Sequence, residues 1–250
     1  MHANHSAHNY QALIDQWRTI SQKNSLIFNK LTVYDQFPVF EISNQLVQRN
    51  EPALYISSGI HGDEVAACWG LLDWAKQSHD ILTSIPIILF PCLNPWGFVH
   101  NSRTDKRGQD LNRIWGMDKH PFTEKIFLRL EKISILLSLN LHEDFDANGI
   151  YLYDPYIGNN QDSWADNILN AGKKSLPLDR RETIEGRAVH NGVIRPRIDN
   201  PPEDGIPEAL YLLEKHGSRN FTIETPSEES LRTRISAQKL MIEEAVRLAF

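Results

Sequence analysis

Cysteine is scarce: Cys68 and Cys92 are the only two in 250 residues. Two thiols cannot build the disulfide framework of a small secreted scaffold; they fit a reducing compartment as buried free thiols, with one bridge between them as the alternative. Long apolar runs are lacking as well. The longest, 85–90 and its neighbours, is interrupted by Pro86 and Pro91 and falls far short of the roughly 20 residues that span a bilayer. The first residues, MHANHSAHNYQALIDQW, show neither the basic start nor the apolar stretch of a secretory leader, so a cytoplasmic location is expected. Basic clusters are missing too. With 26 Lys and Arg against 32 Asp and Glu the formal charge is -6, and no basic run is available to coat a phosphate backbone. Neither nucleic acid nor a membrane is expected as a partner.

What is present is a globular composition, 41% apolar with 13 glycines, in a chain long enough to bury a large core without disulfides or a structural metal. Any metal is therefore to be sought in a working site. Tyr10, Leu13, Trp17 and Ile20 recur at helical steps, and alternating stretches at 26–34 and 38–43 read as strands. The near-continuous apolar run 53–60 suits a strand covered on both faces, followed by HGDE and a helical pattern through Val65, Cys68, Trp69, Leu72 and Ala75, with Asp63 as the expected cap. A second buried strand at 85–90, a polar loop at 91–116 and a helix at 122–133 repeat the unit. A third strand at 135–141 stops at His142, helices are expected at 163–174 and 206–216, Pro201-Pro202 marks a break between them, and a strand at 220–223 precedes a long helix at 231–248. Alternating strands and helices predict a three-layer α/β/α sandwich on a mixed, largely parallel sheet, as one domain over 1–250.

Open sheets of this kind place ligands at the carboxyl ends of their strands. His61, the segment 94–113, His142 and Glu224 each follow such a strand. His61 and Glu64 have HxxE spacing, with one donor at a strand end and the other in the first helical turn; alone, such a pair is more often a cap or a surface group. Adding His142 makes a His2Glu set, which with one open position is a catalytic zinc arrangement, although a strand-terminal histidine is also simply hydrogen-bonded in many folds. Glu224, in FTIETPS, offers the carboxylate that such a site needs for proton transfer, although an acid in that place is, taken alone, more often a capping or solvated residue. In RGQDLNR, Arg107, Asn112 and Arg113 offer groups that fork around a carboxylate or steady an oxyanion, with solvated loop arginines as the plain alternative.

The ordered motifs HGDE, NPWG, RGQDLNR, LHED and TIETPS span 58–227. Together they resemble the zinc carboxypeptidase family, above all its compact bacterial branch that includes murein peptide amidase, and more distantly succinylglutamate desuccinylase and aspartoacylase. The resemblance implies that His61, Glu64 and His142 hold one Zn2+ and that Glu224 is the general base. It also implies that Arg107 polarises the scissile carbonyl while Asn112 and Arg113 bind a terminal carboxylate. The implied substrate is a peptide or murein peptide with a free carboxylate. An N-acyl amino acid is the rival, disfavoured because the desuccinylase type carries a further β-rich domain where only the helix at 231–248 follows here. A non-catalytic peptide binder is a third reading. The family's substrate-capping tyrosine is not fixed by any segment: Tyr211 is a weak candidate, more in keeping with core, and Tyr151 and Tyr153 read as strand residues. Glu143, Asp144 and Asp146 are expected to be solvated or to support the metal histidines, rather than to bind a substrate amine or, with Asp63, a second ion. His2, His5 and His8 are read as incidental.

Overall fold

The computed structural model describes residues 6–49, 51–117, 119–156, 162–197 and 203–250. The strands are β1 (Ile27–Tyr34), β2 (Phe37–Ser43), β3 (Ala53–Ser58), β4 (Ile87–Phe90), β5 (Ile135–Asp144), β6 (Tyr151–Tyr153), β7 (Thr183–Ile184), β8 (Arg187–Ala188), β9 (Val193–Ile194) and β10 (Arg219–Pro226). The helices are α1 (Tyr10–Lys23), α2 (Val65–Gln77), α3 (His79–Ser84), α4 (Pro95–His100), α5 (Thr123–Leu130), α6 (Trp164–Gly172), α7 (Glu208–His216) and α8 (Leu231–Ala249). One sheet runs in the order β1-β2-β4-β3-β5-β10-β6-β9, and β7 and β8 form a separate hairpin. The neighbours β4-β3, β3-β5, β5-β10 and β6-β9 are parallel; β1-β2, β2-β4 and β10-β6 are antiparallel. This is the mixed, mostly parallel sheet that the sequence predicts.

Side-chain alternation along the strands creates the layers. Leu54 and Ile56 of β3 pack with Leu13 and Trp17 of α1, Leu71 of α2 and Met241 of α8, whereas Tyr55 faces the other way, toward Ile126 of α5 and Leu212 of α7. Trp17 is fully buried in the first layer, where truncation to alanine typically costs about 3–5 kcal/mol. In β5 the alternation divides by polarity. Leu137, Leu139 and Leu141 join the first core, while Ser138, Asn140 and His142 share the opposite face. The parallel register sets Asn220, Thr222 and Glu224 of β10 beside them in turn. A polar face at the centre of a sheet is costly unless its groups are bonded or used. Asn220 donates to Ser138 Oγ and Asn140 Oδ1, and Asn140 donates to Ser57 Oγ, so these side chains are bonded to one another, with Asn220 Oδ1 left unpaired. The upper end of the face opens into a cleft.

Several boundaries differ from expectation. The third strand continues through His142 to Asp144, because the ladder with β10 runs on to Pro226↔Asp144. The loop expected at 91–116 contains α4, where Asn94 Oδ1 accepts from the Gly97 N–H at 2.9 Å. Asp63 does not cap α2: Glu64 holds the N-cap position without a side-chain cap bond. Cys68 and Cys92 are free and buried. Among the described residues no helix is long and apolar enough to cross a membrane. His2, His5 and the Pro201-Pro202 break lie outside the described residues; His8 Nδ1 donates to the Phe98 carbonyl at 2.6 Å.

Candidate metal centre and cleft

The chain leaves β3 through Gly59, at φ +63, a backbone setting that side-chain-bearing residues rarely adopt. The next turn brings His61 to the sheet edge and Glu64 to the head of α2. Gly62 has no room for a side chain, since a Cβ there would fall 1.9 Å from the Gly97 carbonyl carbon. The HGDE turn thus rests directly on the backbone of α4, and the Gly62 N–H donates to the Ser102 carbonyl at 3.0 Å.

His61, Glu64 and His142 are all buried, and each offers one ligand atom within 4.8 Å of the others. His61 Nδ1 lies 2.5 Å from Glu64 Oε1, and His142 Nδ1 lies 2.9 Å from Glu64 Oε2. The second contact is close but misaligned, so Glu64 Oε2 has no hydrogen bond although it is buried. Two imidazole nitrogens and an unsatisfied carboxylate oxygen facing one point, away from bulk water, fit a cation, and this donor set suits zinc. Burial opposes charge on both residues, yet Glu64 and Asp110 hold the His61 pKa up at about 9, and His61 and His142 hold that of Glu64 down at about 2. Asp110 Oδ1 accepts from His61 Nε2 at 3.1 Å, which fixes the ring and keeps Nδ1 turned to the cluster. Among the described residues this is the one such group, so neither Asp63 nor Asp144 belongs to a second.

Glu224 is the strand neighbour of His142, on the same face of the sheet, and lines a cleft of about 230 Å³. Burial pushes its carboxyl well above the usual range; His142 opposes this, while the Glu64, Asp144 and Glu185 carboxylates add to it. A buried carboxyl of raised proton affinity at a cluster of donors is suited to exchanging protons.

Asn112 and Arg113 also line the cleft. Asn112 Oδ1 accepts from the Glu208 N–H at 3.0 Å, and Arg113 Nε donates to Asp204 at 2.7 Å. Arg107 does not reach it. Its side chain is 63% exposed and its Nη1 donates to the Tyr34 hydroxyl at 2.9 Å, with Asp105 and Asp35 at 3.5 and 3.6 Å. The cause lies in the turn: buried Asp105 accepts from the backbone N–H groups of Arg107 and Gln109, both at 2.8 Å, and pins the segment against β1. The guanidinium at the cluster is that of Arg103, which sequence reasoning missed. Its Nη1 is 3.3 Å from His61 Nδ1 and 3.7 Å from Glu64 Oε1, and its Nε and Nη2 donate to Asp110 Oδ2 at 3.2 and 3.1 Å.

Tyr211 stacks on Phe127, ring centres 4.4 Å apart, and lies outside the cleft. Tyr151 and Tyr153 are strand residues of β6 that also line the cleft, donating to Asp144 at 3.0 Å and Glu185 at 2.7 Å. Of the acidic run, Glu143 and Asp144 both border the cleft, Glu143 being buried, and the Asp146 N–H donates to Asp144 Oδ1 at 2.8 Å.

Comparison with known proteins gives a partial family match and a shared fold. Residues 50–146 match the succinylglutamate desuccinylase/aspartoacylase catalytic domain. A segment of 84 residues is 33% identical to cytosolic carboxypeptidase 1 of Gallus gallus, covering 29% of this chain but only 7% of that protein. In fold, the chain superposes on a provisionally named metallopeptidase from Shewanella denitrificans OS217 with TM-score 0.86, at 22% identity, covering 97% of this chain and 91% of that one. A metallo-carboxypeptidase from Burkholderia cenocepacia gives TM-score 0.73 at 13% identity, covering 96% and 68%. The resemblance to the zinc carboxypeptidase and succinylglutamate desuccinylase/aspartoacylase superfamily therefore holds in both motif and fold.

Proposed function

We propose that this chain is a zinc-dependent hydrolase of carboxypeptidase type, cutting an amide bond next to a substrate carboxylate. The observation that carries the reading is the buried His61, Glu64 and His142 cluster with Glu224 on the adjoining strand. Zinc in such a site lowers the pKa of water toward about 7 and polarises a carbonyl oxygen. The chain's own groups complete the chemistry. Glu224, with its raised proton affinity, takes the proton of the attacking water and returns it to the departing nitrogen. Arg103 faces the same point and steadies the negative oxygen that develops on the carbonyl. Asn112 and Arg113, which also line the cleft, fork around the substrate carboxylate and fix which bond is presented.

The substrate we favour is a short peptide or a cell-wall peptide. A second reading, an N-acyl amino acid, draws support from the desuccinylase/aspartoacylase match over 50–146. Both substrates present a carboxylate beside an amide, so the cleft alone serves either. The deciding experiment measures zinc content and then offers two panels, C-terminal peptides including branched cell-wall peptides, and acylated amino acids, with products read by mass spectrometry. Release of C-terminal residues supports the peptidase, and release only from acyl amino acids supports the rival. Protein that binds peptides, holds no stoichiometric zinc and cleaves neither panel with zinc added would refute both.

A further inference from the structure

Glu143 follows His142 in β5 and borders the cleft, and strand alternation turns its carboxylate toward α2 and α8, away from the face that carries the His142 ring. It is buried and accepts from three separate elements. The Ala66 N–H, two residues beyond Glu64 at the head of α2, donates to Oε2 at 2.7 Å; Arg234 Nη1, from α8, donates to Oε1 at 2.6 Å; and the Thr225 hydroxyl, one residue beyond Glu224 in β10, donates to Oε1 at 3.3 Å. Gln238 of α8 completes the undercarriage, with Nε2 donating to the His142 carbonyl at 2.7 Å and to Thr225 Oγ1 at 3.2 Å.

We propose that Glu143, held by Arg234, is a positioning residue that sets the separation of Glu64, His142 and Glu224 by tying the three elements that carry them to one carboxylate. The inference rests on the proposed metal site. Its physical basis is the two-sided acceptance. Both Glu143 oxygens face donors, so a glutamine of the same shape must turn its NH2 toward either Ala66 or Arg234 and lose one link. Glu143 also takes an N–H at the start of α2 that the helix cannot satisfy itself, fixing the rotation of the turn that presents Glu64.

The test is zinc affinity, measured on the full chain by competition with a chelator well below each variant's melting temperature. The wild type is measured first: if it binds no zinc, the proposed metal site itself fails and the inference fails with it. Given a zinc-binding wild type, Glu143→Gln is expected to weaken zinc by about 10- to 100-fold, the range for partners behind metal ligands, and to lower kcat with little change in KM. The control is Glu41→Gln. Glu41 is an equally buried acid paired with Arg129 at 2.8 Å, away from the cleft, and its loss should lower the melting temperature while leaving zinc affinity unchanged. Should Glu143→Gln fail to fold, Arg234→Lys keeps the charge opposite Glu143 but loses the guanidinium geometry, and the same loss of zinc relative to the control is expected. A folded variant of either kind that binds zinc within about twofold of wild type, or a Glu41→Gln protein that loses zinc equally, overturns the proposal.

Discussion

Replacing Arg103 and Arg107 separately by alanine distinguishes two guanidinium groups only four residues apart. Arg103 directs Nη1 to within 3.3 Å of His61 Nδ1 and is held in place through two bonds to Asp110 Oδ2. A donor preset at the point where charge develops need not reorganise during the reaction, and removing one typically costs about 2.7–4 kcal/mol, a 100- to 1000-fold fall in kcat. Arg103→Ala should show that fall in peptide turnover. Arg103→Lys should recover part of it, since the charge remains and the fork to Asp110 is lost. Arg107 has its partners on Tyr34, Asp35 and Asp105, so Arg107→Ala should keep kcat within about twofold. Zinc content is measured alongside, because Asp110 also bonds His61 and a metal-depleted Arg103 variant would mimic the loss. An Arg103→Ala enzyme with full zinc and near-normal kcat would refute the assignment, as would a hundredfold loss in Arg107→Ala.

Glu224→Gln should fold, load zinc and lose nearly all turnover, because the amide cannot take a proton from water; turnover at the wild-type rate would remove Glu224 from the reaction. Asp179 tests the electrostatics away from the cleft. Burial alone would raise its carboxyl, but Arg181 and the backbone N–H groups of Arg181 and Asn148 bring it below the usual range. A depressed folded-state pKa contributes stability above the unfolded value of about 3.9, lost as pH falls through the folded one. Asp179→Asn should therefore unfold in less urea than wild type at pH 7, with the difference narrowing below about pH 4; a constant difference across that range would contradict the sign.

The parallel core was legible because β3 and β4 are buried on both faces and read as unbroken apolar runs. The candidate donors were legible because His61 follows β3 within a short turn, Glu64 follows it at the head of α2, and His142 closes the apolar run of β5. The far end of β5 was hidden. His142, Glu143 and Asp144 do not resemble strand residues, and only the ladder to β10 keeps them extended. Arg103 was hidden by a long-range contact: which arginine of 103–113 faces the cluster depends on Asp105 docking against Tyr34, 71 residues earlier. The half-buried Asp110, placed to bond both an imidazole and a guanidinium, was the local signal for it. Tyr151 and Tyr153 illustrate a third limit. Alternation places them on one face of β6, and that this face borders the cleft follows only from β6 pairing with β10 beside Glu224.

The contact between Gly62 and α4 bears on how this chain can be altered. With 1.9 Å between a would-be Cβ and the Gly97 carbonyl carbon, even alanine at position 62 must push two main chains apart. Gly97 is itself hemmed in by Asn94 Nδ2 and the Ser102 carbonyl, so it cannot retreat to make way. A saturation library at either position should return glycine alone among active clones, and recombination that draws HGDE from one parent and NPWG from another should succeed only where both parents keep that bare backbone junction.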